Sequence, residues 1–238
     1  MKNKTQKAFL VFTMCLLAFS LTDIHGKQKP KQQDPFQHPF ANPVDQPGLS
    51  RVLILGDSIS IGYTPRVRRL LDGKANVHRP ATNCRWSAFG DEQVEAWIGD
   101  TAWDVIHFNF GLWDWYGWSQ EVKATPESYA ASLDSIVTKM KKTNAKLIFG
   151  ITTPPCIGPE RKVKFIISEE RAKEFNNAAR AVMKKHGVQI NDLYAVIGED
   201  RAKYQRGEND VHYTEEGRDI LAAAVAKIID EAIFIDRK

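Results

Sequence analysis

The sequence lacks the patterns that mark several common protein classes. It has no internal repeat and no second linker, and its histidines, such as His78, His107 and His186, are too scattered for the spacing of metal ligands. Its formal net charge is only +4, and three lysines and one aspartate of the first 23 residues contribute two of those charges. This near balance argues against a nucleic-acid-binding surface, and nothing in the sequence calls for a metal or cofactor.

Cysteine is also scarce, with three residues in the 238-residue chain. Cys15 lies in an apolar N-terminal run, and Phe12-Thr13-Met14 before it lacks the small residues typical of lipoprotein processing. An oxidising compartment would permit Cys84 and Cys156 to pair. Two free buried thiols are the equal alternative, and the sequence does not decide between them.

The N-terminus has the pattern of a secretory signal peptide. Three lysines precede the apolar run 8–21, which is too short to span a bilayer comfortably and is followed by polar sequence. We therefore predict a signal peptide at 1–26, a secreted or periplasmic location, and no stable membrane span after its removal. A retained anchor is the alternative, because no ideal Ala-x-Ala cleavage site is present. Residues 27–50, rich in Pro, Gln and Lys, predict a flexible tether before one domain at 51–238.

Within that domain, strand and helix patterns alternate. Short aliphatic runs ending in turn residues predict buried strands, and apolar residues at helical spacing behind Ser, Thr and Pro predict helices. Alternation of this kind favours an α/β fold, a three-layer α/β/α sandwich around a mostly parallel sheet. The predicted strands are 52–55, 75–78, 103–109, 146–151 and 188–190, and the predicted helices are 64–71, 126–142, 168–186 and 214–233.

Polar segments follow the predicted strands, at the edge of the sheet where open α/β folds bind their ligands. They are 56–60, 83–85, 111–114 and 209–212. Ser58 follows a Gly-Asp turn, where a serine hydroxyl is exposed near a helix start, although Ser58 as a helix cap is an equal alternative. His212 favours the catalytic interpretation, since serine needs a neighbouring base before it attacks an ester.

These blocks resemble the SGNH/GDSL hydrolase family. The similarity rests on Gly56-Asp57-Ser58, Asn83, residues 108–114 and Asp210-Val211-His212, extends over 51–233, and is strongest to a bacterial secreted branch. The resemblance implies a flavodoxin-like sheet and metal-free ester hydrolysis. It also implies that Ser58 is the nucleophile, with His212 and an aspartate completing the triad.

Two positions depart from the family pattern. Trp113 stands where the family usually has an asparagine that donates to the oxyanion, and a Trp cannot donate in the same geometry. The remaining candidates for the oxyanion hole are the Ser58 amide, the Asn83 or Asn109 side chain, and a backbone amide near Cys84 or Arg85. The family's acid usually stands three residues before the histidine. Asn209 holds that place here, and we favour its neighbour Asp210 as the acid.

Aromatic residues after the third strand suggest the substrate. The candidates to bind the substrate are Trp113, Asp114, Trp115 and Trp118. The aromatic rings of this segment favour that role, because flat rings stack on sugars or hold acyl chains. The alternative is that some of these rings pack beneath the following helix. The resulting prediction is a serine esterase for a small-molecule or glycan ester, with glycan deacetylation as the most concrete form. A catalytically weak carbohydrate-binding protein and an acyltransferase with the same triad are the alternatives.

Overall fold

The computed structural model describes residues 33–117, 123–158 and 168–236. The predicted signal peptide and Trp118 lie outside these ranges. The strands are β1 (Ser50–Leu55), β2 (Ala75–His78), β3 (Val105–Phe108), β4 (Lys146–Gly150), β5 (Gln189–Asn191), β6 (Gln205–Gly207) and β7 (Asp210–Tyr213). The helices are α1 (Ser58–Leu70), α2 (Ser87–Ile98), α3 (Leu112–Tyr116), α4 (Pro126–Met140), α5 (Glu169–His186), α6 (Leu193–Ile197), α7 (Arg201–Tyr204) and α8 (Glu215–Asp236).

Five parallel strands form the central sheet in the order β2-β1-β3-β4-β5. This is the flavodoxin-like order, and the sequence prediction of the fold class is confirmed. The inner strands are apolar without alternation, as in the buried run Val52–Leu55, because helices cover both faces of the sheet. Helix α1 packs on α8, and α4 packs between α2 and α5. The strand order places the chain reversal, and hence the expected site, beyond the carboxyl ends of β1 and β3.

Helices α4 and α5 form where their capping residues predict them. The Thr125 side chain accepts from the amide of Ser128 and starts α4, and Ser168 does the same for α5. Helix α5 ends at Gly187, whose φ of 66° lies in the left-handed region that glycine tolerates. In both helices the apolar stripe is buried against the sheet.

Helix α1 begins earlier than predicted. Asp57 caps it by accepting from the amide of Ile59 at 2.9 Å, so the helix starts at Ser58 rather than near Thr64. The Thr64 hydroxyl instead donates to the Ser60 carbonyl, and Pro65 lies inside the helix. Ser58 is therefore the first residue of the helix and not its cap.

Helix α2 and the strand pair β6–β7 are absent from the prediction, as are the short helices α3, α6 and α7. Helix α2 has no side-chain cap at Trp86 and contains Gly90, where a Cβ would collide with the ring of Phe110. The pair β6–β7 is an antiparallel two-stranded sheet of only three and four residues. Short polar strands and an uncapped helix leave weak periodicity, which explains why α2 and this strand pair were missed.

The described part of the predicted tether lies against the domain. Arg68 is buried, and its guanidinium donates to the carbonyls of Pro35 and Ala41 and to the Asn42 side chain, each at 2.8–2.9 Å. A buried guanidinium needs such acceptors, and this segment supplies them. The folded unit therefore starts before Arg51, the start predicted from composition. No helix in the described ranges is both long and apolar enough to cross a bilayer.

Candidate active site

Ser58 lies at the start of α1, directly beyond the carboxyl end of β1, and is partly exposed. Its Oγ is 2.9 Å from Nε2 of His212. The two residues are 154 positions apart in the chain, and the fold brings them into hydrogen-bond contact. This distance suits the transfer of the serine proton to the imidazole.

His212 and Asp210 share one face of β7. Side chains alternate along a strand, so residues two apart point the same way, and here Val211 and Tyr213 are buried while Asp210 and His212 face outward. Asp210 Oδ1 accepts from the backbone amide of His212 at 2.9 Å and contacts its Nδ1 at 2.6 Å. The strand conformation explains why a spacing of two residues serves in this chain where the family usually has three.

Burial raises the pKa of Asp210, but hydrogen bonds from the backbone and ring of His212 outweigh it, helped by the charges of His212 and Arg206. The pKa therefore lies below its ordinary value and the carboxylate is ionised near neutral pH. Asn209, the other candidate for the acid, points elsewhere. Its side-chain oxygen lies against Gly158, so close that a Cβ at Gly158 would collide with it.

A buried arginine holds the turn that carries Ser58. Arg79 donates to the Gly56 carbonyl at 3.3 Å, the Ser60 hydroxyl at 3.1 Å and the Thr64 hydroxyl at 3.2 Å. Asp57, beside the serine, is also buried, and its burial raises its pKa to about 6. Ser58 thus lies on a backbone turn that buried hydrogen bonds hold from inside the core.

Three of the predicted oxyanion donors are already engaged. The Asn109 side chain donates to the Gly150 carbonyl at 2.7 Å, the Cys84 amide donates to the Gly56 carbonyl at 3.2 Å, and the Arg85 amide donates to Asn83 Oδ1 at 2.9 Å. These bonds stabilise the loops and count against all three groups as oxyanion donors. The Ser58 amide, in the first turn of α1, needs no partner within its own helix. The Ser58 backbone amide and the side-chain nitrogen of Asn83 therefore remain candidates for the oxyanion hole.

Comparison with known proteins then decides the family. The model of the GDSL-like lipase/acylhydrolase family matches residues 54–220. The chain belongs to this family. It is accordingly an ester hydrolase, and the matched range includes every block on which the sequence resemblance rests. No curated protein matches the chain significantly in sequence.

Solved structures of similar fold include several esterases. An acetyl xylan esterase, AlAXEase, is 17% identical with a TM-score of 0.62, over 75% of this chain and 99% of that one. Axe2, an acetylxylan esterase from Geobacillus stearothermophilus, is 18% identical with a TM-score of 0.63, over 76% and 94%. The aryl esterase of M. smegmatis is 16% identical with a TM-score of 0.60, over 77% and 99%. At such identities the likeness shows the shared fold alone.

In this GDSL-like hydrolase, two predicted substrate-binding residues are structural. Asp114 is buried and accepts from the amide and hydroxyl of Ser87, the latter at 2.7 Å, which joins α3 to the start of α2. Burial raises the pKa of Asp114 to about 7. The Trp115 side chain is fully buried in the core. This burial argues against contact of either side chain with substrate and agrees with the alternative that part of the cluster packs inward, since an aromatic cluster in sequence does not reveal which side chains a short helix turns inward.

A different aromatic set is partly exposed on α3 and along α2. Trp113 contacts Trp86 at a ring-centroid distance of 6.0 Å, Trp86 contacts Phe89 at 5.6 Å, and Phe89 contacts Trp97 at 6.0 Å. We call these four residues the aromatic strip. It runs from α3 along α2, and the exposed Arg85 guanidinium stacks on Phe89. Of these four residues, only Trp113 is among the substrate-binding candidates predicted from the sequence. The spacing of Trp86, Phe89 and Trp97 would have indicated the others had α2 been predicted.

Cys84 and Cys156, the two cysteines of the described domain, are buried thiols that are not joined in a disulfide. Burial raises the pKa of the Cys84 thiol to about 11, so it stays protonated and is no rival nucleophile. Three histidines away from Ser58 have polar partners of their own: His78 contacts Asp45, His186 contacts Asp134, and His107 contacts Asn191. Within the described ranges no cluster of three metal-ligating side chains is present.

Proposed function

We propose that this chain is a serine esterase in which Ser58 is the nucleophile, His212 the general base and Asp210 the acid that orients the base. One observation carries the proposal: the continuous contact from Asp210 Oδ1 to His212 Nδ1 at 2.6 Å and from His212 Nε2 to Ser58 Oγ at 2.9 Å. Each distance is within hydrogen-bond reach, which is the first requirement of a triad.

The geometry supports the following reaction. Neutral His212 takes the Ser58 proton on Nε2 while Oγ forms a bond to the ester carbon, and the carbonyl electron pair moves to its oxygen. The Ser58 amide donates to that oxyanion, and the α1 N-terminus favours its charge. The ester C–O bond then breaks, and the leaving alcohol takes the proton from Nε2. Water, deprotonated by the same imidazole, releases the acid and restores Ser58.

The aromatic strip supports a carbohydrate ester as the substrate. Half-exposed rings that begin on α3, in the segment after β3, favour stacking on sugar faces, and two of the similar structures are named as acetylxylan esterases. We propose that the enzyme removes short acyl groups such as acetyl from a glycan. The pattern of residues 1–26 supports export as the route by which the enzyme meets such a polymer.

Purified residues 27–238 should hydrolyse 4-nitrophenyl acetate and release acetate from acetylated xylan. Trp86→Ala should raise KM for acetylated xylan about two- to ten-fold, since an aromatic contact is worth about 0.5–1.5 kcal/mol, and leave hydrolysis of the small ester unchanged. Phe234→Ala, an exposed aromatic on α8, is the control. An equal loss of activity on acetylated xylan and on 4-nitrophenyl acetate would exclude the aromatic strip as a binding site for the glycan.

Trp113 favours a second candidate, a carbohydrate-binding protein with weak catalysis, since it replaces the family's oxyanion donor. Losing one such donor costs about 2.7–4 kcal/mol of transition-state stabilisation. Binding of xylan without turnover of either ester would support that candidate over the esterase. Transfer of the acyl group to an added sugar, in preference to water, would instead identify an acyltransferase.

Export is tested with the full chain. Expressed in a bacterial host, it should accumulate outside the cytoplasm as a shortened polypeptide. A charge introduced into the apolar run, as in Leu16→Arg, should retain it at full length inside the cell. Full-length protein held in the membrane would indicate a retained anchor instead.

A further inference from the structure

The acid of the triad has a second partner that family resemblance does not supply. Asp210 uses Oδ1 for His212, and its other oxygen, Oδ2, accepts from Arg206 Nε at 2.9 Å and lies 2.7 Å from one terminal nitrogen of the same guanidinium. Both carboxylate oxygens are thus engaged, one by the base and one by a cation. Arg206 has no part in the reaction proposed above.

Strand geometry explains this arrangement. Gln205 on β6 faces Tyr213 on β7, and both are buried, so Arg206 points to the opposite, outward face. Asp210 and His212 occupy that same face of β7. The small sheet therefore presents three adjacent charged or titratable groups to the site, although Arg206 is six residues from His212 in the chain.

The Asp210 side chain is 34% exposed, so water competes for its oxygens. Rotation about the terminal torsion of an aspartate is broad, which means that a single hydrogen bond does not define the plane of the carboxylate. A guanidinium that meets the second oxygen with two nitrogens restricts that rotation. A surface ion pair adds little to the free energy of folding. We therefore expect the loss of this one to change the rate of catalysis rather than the stability.

We propose that Arg206 is a positioning residue, which holds the Asp210 carboxylate in the plane where Oδ1 accepts the Nδ1 proton of His212. This inference rests on the proposed Ser58–His212–Asp210 reaction. Arg206 touches neither the ester nor the reacting atoms, and acts only through Asp210.

The kinetic test compares Arg206→Ala, Arg206→Lys and the control Lys203→Ala with the wild type on 4-nitrophenyl acetate. Lys203 is an exposed lysine of α7 that pairs with Glu216 away from the triad. Arg206→Ala should lower kcat about five-fold, on the scale of one half-exposed ion pair, with KM unchanged. Arg206→Lys should recover part of the loss, because it keeps the charge without the planar fork. Lys203→Ala should match the wild type.

A double-mutant cycle identifies the route of the effect. In an Asp210→Asn background, Arg206→Ala should change kcat by less than about two-fold, because its partner has lost its charge. A five-fold loss in that background, or wild-type kcat in Arg206→Ala, would overturn the proposal. Ser58→Ala is assayed alongside: activity in that variant would overturn the reaction itself, whereas an inactive Ser58→Ala with an unaffected Arg206→Ala would overturn only the role of Arg206.

Proton NMR of the full domain provides a readout that does not need turnover. The His212 Nδ1 proton, bonded to Asp210, should give a downfield resonance at low temperature in the wild type and in Lys203→Ala. In Arg206→Ala that resonance should broaden or move upfield as the carboxylate rotates. An unchanged resonance in Arg206→Ala would show that Asp210 keeps its plane unaided, and would overturn the proposal.

Discussion

The two halves of the candidate site are held in different ways. The turn carrying Ser58 is supported from the core by Asp57 and Arg79, both 1% exposed. His212 and Asp210 stand on a two-stranded sheet at the surface, with roughly a third of each side chain exposed. Buried hydrogen bonds therefore support the Ser58 turn, whereas local strand geometry and the contact with Arg206 support His212 and Asp210. Changes in the buried supports of Ser58 should cost stability, and changes in the partly exposed groups of the proposed reaction should cost rate alone.

The sharpest test of this comparison is Ser58→Ala. Removing Oγ should abolish esterase activity, by at least about four decades, because it takes away the hydroxyl that is hydrogen-bonded to His212 Nε2. The free energy of unfolding should change by less than about 1 kcal/mol, since the side chain is partly exposed. Rates on 4-nitrophenyl acetate and urea denaturation measure the two quantities.

Ser60→Ala is its matched control, since the Ser60 hydroxyl bonds inward to the Asp57 carbonyl and Arg79. It should destabilise by about 1–3 kcal/mol and keep kcat near the wild-type value. The reverse outcome, an inactive Ser60→Ala beside an active Ser58→Ala, would move the nucleophile to Ser60.

On the surface half, Asp210→Asn should lower kcat by roughly three to four decades with little change in KM, because the imidazolium formed during attack loses its counter-charge. The melting temperature should stay within a few degrees of wild type. Asn209→Ala, its neighbour and control, should be mild. A destabilised but fully active Asp210→Asn enzyme would show that the acid lies elsewhere or that a Ser–His pair suffices.

Arg79→Met tests the buried half without touching a reacting group. It removes a guanidinium that donates to the Gly56 carbonyl and to the hydroxyls of Ser60 and Thr64, so each of these buried groups loses one donor, although the Gly56 carbonyl keeps the Cys84 amide. The expected cost is about 3–5 kcal/mol of unfolding free energy, read from urea denaturation. Lys203→Met, on the exposed surface, should cost almost nothing. Equal stability of the two variants would remove the contrast between the halves.

A further expected effect concerns the pH dependence of stability. Burial raises the pKa of Asp114 to about 7 in the folded protein, above its unfolded value of 3.8. Between those values the folded state holds a proton that the unfolded state has lost, so unfolding free energy should fall as the pH rises from about 4 to 7. Asp114→Asn should remove on the order of 2–4 kcal/mol of that decline. Denaturation at pH 4.5 and 7.5 measures it, and parallel pH profiles for both proteins would show that Asp114 does not titrate on folding.

Much of the molecule follows from local sequence. Aliphatic runs identified the five sheet strands to within about two residues, and caps such as Thr125 and Ser168 placed α4 and α5. The ordered blocks led to Ser58, His212 and Asp210 as residues for one site. The elements that local sequence missed carry weak local signals. Helix α2 lacks a side-chain cap, and β6 and β7 are too short for a visible alternation.

The sequence by itself determined the fold class, the family and the side chains able to perform ester hydrolysis, because periodicity, capping and motif spacing are written along the chain. Tertiary structure alone decided which neighbour contacts the His212 ring. On β7 a residue two positions away shares the outward face, so Asp210 meets the imidazole, while Asn209 packs against Gly158. It also decided which rings reach the surface, turning Trp115 inward and leaving Trp86 beside Trp113. Burial and contact depend on segments distant in the chain, and no local pattern records them.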